Sequence, residues 1–303
     1  MRLGRRYEQP VGESTLNVGV VDIGTNSIRL LVTSGHEEIG RWVEVTGLGQ
    51  GVQSTGQLDD DAMRRTVLVL QQFARRMDDA EVEVRQAIAT SASRDASNRE
   101  LFFDMAESAL RVRPTLISGS REAQLAFEGA TEDLDNADGA FVSDIGGGST
   151  EFVTSKVAKS IDIGTVRLTE LVRIDQPASE MQMRAAIELV DEMFATLEMG
   201  SHELILGIAG TWTSLASIGQ GISGGVHGQR MGSDELRSIR DRLAHKTMVE
   251  IETLPGLDPR RAPVILSGAV IAASVMAAVG ADVAVISEKD TLDGVASELL
   301  ALR

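Results

Sequence analysis

The chain has 303 residues, enough for one or two domains with a sizeable core. Its 43% hydrophobic content is ordinary for a globular protein, and the absence of cysteine excludes disulfides and thiolate metal sites. The net charge of −16 argues against a nucleic-acid-binding surface, and any polyanionic ligand would need locally placed cations or metal ions.

Residues 1–15 are polar, carry Arg2, Arg5 and Arg6, and lack the apolar stretch of a signal peptide. They are expected to form a flexible extension. Residues 16–131 and 132–303 are expected to form two domains. Each opens with the same phrase. Residues 18–27 end an apolar run with Asp22-Ile23-Gly24 and continue into Asn26-Ser27; residues 140–152 end one with Asp144-Ile145-Gly146 and continue through Gly147, Gly148 and Ser149 to Glu151. The runs have the length of buried strands. The glycine-containing turns would let backbone N–H groups approach a phosphate, and the strand-end aspartates could hold a metal or its waters. Two copies about 120 residues apart predict two similar domains facing one anionic ligand across a cleft.

After the first hairpin (17–31) come a strand at 41–45, a glycine-rich loop at 46–52, and a helix opened by the acidic residues 59–61, with Met63, Val67, Leu70 and Met77 on one face. Strands are expected at 82–90 and 115–117, and helices at 100–110 and from about 121 to 130. Residues 132–139 are turn-rich and serve as the linker. The second half has its hairpin at 141–153, a strand at 159–163, helical sequence after 164, a helix at 180–197 and a strand at 202–208. Gly210-Thr211 opens the next helix, where N–H groups could meet an anion. Helices follow at 233–245 and 263–279, a strand at 281–287, and a last helix at 293–302. Strands and helices alternate, so the class is α/β. Residues 262–281 carry no charge and could span a bilayer by length, but their Ala, Ser and Gly content and Pro263 favour a buried helix. A cytoplasmic protein that binds neither membrane nor nucleic acid is expected.

These motifs, in this order, resemble the exopolyphosphatase and guanosine-pentaphosphate phosphohydrolase family, a branch of the actin, sugar-kinase and Hsp70 superfamily. The shared segments are 22–27, 47–51, 89–98, 118–123, 144–151, 164–170, Gly210-Thr211 and 226–228. The resemblance implies two ribonuclease-H-like domains with a cleft between them. It also implies hydrolysis of the terminal phosphate of inorganic polyphosphate, with guanosine pentaphosphate as the alternative substrate and a polyphosphate- or nucleotide-binding sensor as a non-catalytic reading. Mg²⁺ is the implied cofactor, a monovalent cation a further candidate, and a homodimer an implied assembly.

Residue by residue, the resemblance makes Glu122 the carboxylate that activates the attacking water; by helix mechanics alone it complements the positive end of its helix. Arg94 is the candidate cation for the phosphates, against a surface arginine paired with Asp95 or Glu100. Asp22, Asp144 and Glu151 form the metal side. Asn26, Ser27, Gly146, Gly147, Gly148, Ser149, Gly210 and Thr211 are the candidate phosphate ligands, against simple turn residues. Arg167 is a weaker cation candidate that could instead hold Glu170 or the domain interface. Trp212 reads as core, and the four histidines lack metal spacing. In the final motif Leu292 stands where many members carry arginine. The chain as given ends at Arg303, without the helical extension of longer members, which makes short polyphosphates or nucleotide pentaphosphates the expected substrates.

Overall fold

The computed structural model describes residues 16–302 except 36, 135–136, 138, 198–199 and 203. The extension expected over 1–15 and part of the linker expected over 132–139 lie outside the described residues.

The first sheet begins as a meander of β1 (Asn17–Ile23), β2 (Ser27–Ser34) and β3 (Glu37–Val45). Helices α1 (Val52–Thr55) and α2 (Asp60–Asp79) lead to β4 (Val84–Ala89), which pairs parallel with β1. Helices α3 (Ser91–Asp95) and α4 (Arg99–Leu110) lead to β5 (Thr115–Leu116), parallel to β4. The strand order is β3-β2-β1-β4-β5. Helix α5 (Gly119–Thr131) then crosses to the second half.

There the plan recurs. Strands β6 (Val142–Ile145), β7 (Thr150–Val153) and β8 (Ala158–Ile161) form the meander, followed by α6 (Thr165–Val172) and α7 (Glu180–Phe194). Then come β9 (Leu204–Ile208), α8 (Ala209–Gln220), β10 (Arg230–Gly232), α9 (Ser233–Ala244) and α10 (Met248–Glu252). Helix α11 (Ala262–Ala278), β11 (Val283–Ile286) and α12 (Thr291–Ala301) complete the chain. The order is β10-β11-β9-β6-β7-β8. Without its added edge strand β10, it has the same arrangement as the first sheet. The recurrence is the one the repeated phrase predicts, and both sheets are ribonuclease-H-like, as the family resemblance implies.

Local chemistry accounts for most elements. Central β1 is buried along nearly its whole length, so it reads as an unbroken apolar run rather than an alternating one. Asp59 caps α2 by accepting from the Ala62 N–H at 2.9 Å, with Asp60 and Asp61 in the first turn. Strand β3 starts earlier than the expected residue 41, because Glu37 and Glu38 lie on an exposed sheet edge and give no apolar signal. The uncharged α11 is buried against α6, α7, α8 and α9, so it is the core helix of the second domain.

The packing departs from a linear division at 131/132. Helix α12 lies on β1 and α5, with Leu292, Val295 and Ala296 in a cluster with Val18, Val20, Leu31, Ile88 and Leu125. The chain's end therefore returns to the first sheet. Leu292 is fully buried in that cluster, which explains an apolar residue at this position.

Helices α5 and α12 approach so closely that a side chain on Gly129 would strike the Asp290 carbonyl and the Gly294 nitrogen, and one on Gly294 would strike the Leu125 carbonyl. In an ordinary exposed helix Gly→Ala is stabilising by up to about 1 kcal/mol. Here Gly129→Ala should destabilise by about 2–3 kcal/mol, read by urea unfolding. A neutral or stabilising result would refute this helix–helix distance.

Candidate active site

The two hairpin turns meet at the cleft. In the first, the Gly24 N–H donates to the Ser27 carbonyl at 3.1 Å; in the second, the Gly146 N–H donates to the Ser149 carbonyl at 3.0 Å. The first turn is stitched to its surroundings by the Thr46 and Gly47 N–H groups on the Asn26 carbonyl and by the Gly49 N–H on the Thr25 carbonyl. The second turn presses against it. A Cβ on Gly147 would lie 2.9 Å from Thr25 Cβ and 3.0 Å from Asn26 N, and one on Gly148 would lie 2.8 Å from Thr25 Oγ1 and meet Ser91. The missing side chains of Gly147 and Gly148 thus face the other hairpin. Their first physical role is to let two backbones touch.

A small cavity of about 60 Å³ opens beside this contact, lined by both turns, Asp22, Arg29, Glu122, Asp144, the start of α8 and Arg261. The register of each hairpin brings the residue seven positions after the aspartate directly opposite it: Arg29 across from Asp22, and Glu151 across from Asp144. Arg29 Nε donates to Asp22 Oδ2 at 3.0 Å, and the same guanidinium pairs with Asp290. Glu151 Oε1 accepts from Ser160 Oγ at 2.7 Å, at the foot of α5. Glu122 stands in the first turn of α5, whose Ser118 cap accepts from the Arg121 N–H. Its Oε2 accepts from the Arg94 guanidinium at 2.8 Å, and Arg94 also donates to the Ile117 carbonyl.

The start of α8 forms the far wall. Ala209 has φ of 63°, in the left-handed region that non-glycine residues avoid, and no side chain caps this helix N-terminus. The Arg261 guanidinium packs against Gly210, in the space a Cβ there would take. Arg261 is partly buried, and desolvation pulls its pKa down to about 10 despite the nearby Asp258. An uncapped helix start and a desolvated guanidinium together favour an anion. Arg29, Ala209, Gly210 and Arg261 also border a second, larger cavity of about 890 Å³.

Most expected site residues therefore converge here: Asp22, Asn26, Ser27, Glu122, Asp144, Gly146, Gly147, Gly148, Ser149, Gly210 and Thr211 all line the small cavity. Several differ in detail. Arg94 is not among its lining; it holds Glu122, while Asp95 pairs with Arg167 and Glu100 with Arg113. Thr211 Oγ1 donates to the Ile145 carbonyl at 2.7 Å, joining α8 to the hairpin. Glu151 is not part of that lining. Arg167 ties the domains together, donating to the Gly148 carbonyl at 2.9 Å and to Gln53 at 3.0 Å. The Gly51 N–H donates to Glu170 at 2.7 Å across the same seam. Trp212 is core, with its Nε1 3.4 Å from Ser143 Oγ. Arg29, Arg261 and Asp290 escape the sequence reading. Arg29 had a signal: it occupies in the first copy of the phrase the position Glu151 occupies in the second. Arg261 follows a loop and had none.

The carboxylates are an electrostatic load. Burial, then Glu122 nearby, pushes the Glu151 carboxyl well above the usual range; burial likewise raises Asp144 well above it, against the pull of Arg29. Asp22 and Glu122 are raised by burial, opposed by Arg29 and Arg94 respectively. Among the described residues, no three His, Asp or Glu side chains converge as a ready-made metal cage. The buried Oδ1 of Asp22, however, has no hydrogen-bond partner. Asp22 and Asp144 on one cavity, beside anion-binding turns, fit an ion such as Mg²⁺ that takes one or two carboxylates and completes its shell with water and phosphate oxygens.

A carboxyl raised on folding contributes stability that is complete below its unfolded pKa and is lost as pH rises through its folded value. In the presence of a chelator, the melting temperature of the wild type relative to Asp144→Asn should therefore fall as pH rises from about 4 towards neutrality. At neutral pH the variant should be the more stable of the two. A constant difference across that range would show that Asp144 titrates normally.

Residues 32–301 match the Ppx/GppA phosphatase family. The chain is 33% identical to exopolyphosphatase 2 of Mycobacterium tuberculosis, over 93% of this chain and 98% of that protein. It is 29% identical to guanosine-5'-triphosphate,3'-diphosphate pyrophosphatase of Pseudoalteromonas translucida, over 83% of this chain and 53% of that protein. Among solved structures, an exopolyphosphatase-like protein superposes with a TM-score of 0.88 at 32% identity, covering 95% of this chain and 98% of that one. The chain belongs to the Ppx/GppA phosphatase family and is a phosphoanhydride hydrolase.

Proposed function

We propose that the protein is an exopolyphosphatase that removes the terminal phosphate of inorganic polyphosphate by direct attack of water. The observation that carries this reading is Glu122: a carboxylate on the wall of the small cavity, held by Arg94 and facing the hairpin turns and the start of α8. The terminal phosphate would lie among the Gly146–Ser149 turn, the Asn26–Ser27 turn, the first N–H groups of α8 and Arg261. Glu122 would accept a proton from the attacking water as the new P–O bond forms and the bridging P–O bond breaks. The shortened chain leaves on that bridging oxygen. Arg94 would orient Glu122 rather than contact phosphate. Burial raises the Glu122 carboxyl, which makes it a stronger base than an exposed glutamate once ionised. Asp22 and Asp144 would hold Mg²⁺, whose contribution is to neutralise charge on the phosphate oxygens. No covalent intermediate is required, since cysteine is absent and Glu122 serves water.

A second reading keeps the site and takes guanosine pentaphosphate. It is favoured by the 890 Å³ cavity that adjoins the small one, with room for a nucleoside, and by the relative named for a guanosine nucleotide. Its lining includes apolar Val43, Val226 and Leu257, and its Arg41 and Lys289 are paired with carboxylates.

Phosphate release from triphosphate and longer chains tests the first reading. Glu122→Gln should lower kcat by about 10²- to 10⁴-fold while substrate still binds. Unchanged turnover would remove Glu122 from the mechanism. The ratio of kcat/KM on polyphosphate to that on guanosine pentaphosphate decides between the two substrates.

A further inference from the structure

Arg29 is gripped by two carboxylates from distant parts of the chain. Asp22 takes its Nε from the end of β1, and Asp290, from the turn before α12, takes another of its nitrogens. The Asp290 side chain has little freedom. Its Oδ1 accepts from the Leu292 N–H at 2.9 Å as the α12 cap, and its own N–H donates to Asp293 Oδ2 at 2.7 Å. Asp293 in turn accepts from Arg41 at 2.7 Å. The carboxylate is buried and lines the large cavity but not the small one, whereas Arg29 lines both. At the wall the two cavities share, the protein has therefore set a fixed anion against a cation that a phosphate would seek.

We propose that Asp290 is a specificity-determining residue that occupies Arg29 and repels the further phosphates of a long chain, so that the site favours substrates with a short anionic run. The inference rests on the reading that the small cavity takes the terminal phosphate. In the large cavity Arg41 pairs with Asp293 and Glu38, and Lys289 with Glu132 and Asp133, so among the described residues it offers a long polyanion little unpaired positive charge beyond Arg261 on the wall it shares with the small cavity. Like charges brought together without compensation disfavour the wrong ligand, which is discrimination by repulsion.

The test is calorimetric binding of triphosphate and of long-chain polyphosphate with Mg²⁺, in the Glu122→Gln background to suppress turnover. Asp290→Asn keeps a good helix cap while removing the charge, and Asp290→Ser is a second capping variant. Either should tighten long-chain binding by roughly ten-fold more than triphosphate binding. Equal changes for the two ligands, or none, would overturn the proposal. The parent itself must bind long chains no more than a few-fold tighter than triphosphate, so a stronger preference overturns it without any variant. If no form binds either ligand, the proposal falls together with the polyphosphate reading; binding without an Asp290 effect sinks the proposal alone.

Discussion

Two hairpin turns, one from each sheet, meet where the second turn has no side chains of its own. That contact sets the geometry of everything else in the cleft. Gly147 and Gly148 have no room for a Cβ because Thr25, Asn26 and Ser91 already fill the space. Arg167 bridges to the Gly148 carbonyl and to Gln53, and Glu170 takes the Gly51 N–H, so the seam is held by polar bonds as well as by fit. With the turns in contact, Asp22 and Asp144 share one small cavity, and Glu122 and the start of α8 line the same space.

The site is electrostatically uneasy. Four carboxylates gather where burial disfavours their charge, and of the guanidinium groups close to them Arg29 and Arg94 are each bound to one. An acidic protein with such a cleft is poorly disposed towards a polyanion unless a cation enters with it. The same feature makes sense of Arg261 and the uncapped start of α8: they add positive potential to the cavity that the carboxylates line. A strained Ala209 at that helix start belongs with this pattern of local cost at a functional cleft.

The α5–α12 pair joins the two halves of the chain in another way. Helix α5 carries Glu122 at one end and contacts β6, β7 and β8 of the second sheet, while α12 returns to β1 of the first. The catalytic carboxylate candidate is thus placed by packing against both sheets. Leu292, an oddity when viewed as a replaced cation, is simply the apolar residue that this packing buries.

Much of this was legible in the sequence because it was local. The repeated Asp-Ile-Gly phrase, its apolar strands, the acidic start of α2 and the serine before α5 each announce a structure through residues a few positions apart. The partners of those residues could not be read this way. Asp22 with Arg29 lies within reach of a register argument, since the two copies of the phrase align Arg29 with Glu151. Arg29 with Asp290, Arg94 with Glu122 and Arg261 on Gly210 join segments distant in the chain, and hydrophobic periodicity carries no information about them. The sequence by itself determined two copies of one α/β plan and the residue types at the cleft. The tertiary structure alone decided which arginine neutralises which carboxylate, because ion pairing depends on distances of a few ångströms between elements whose approach is set by packing.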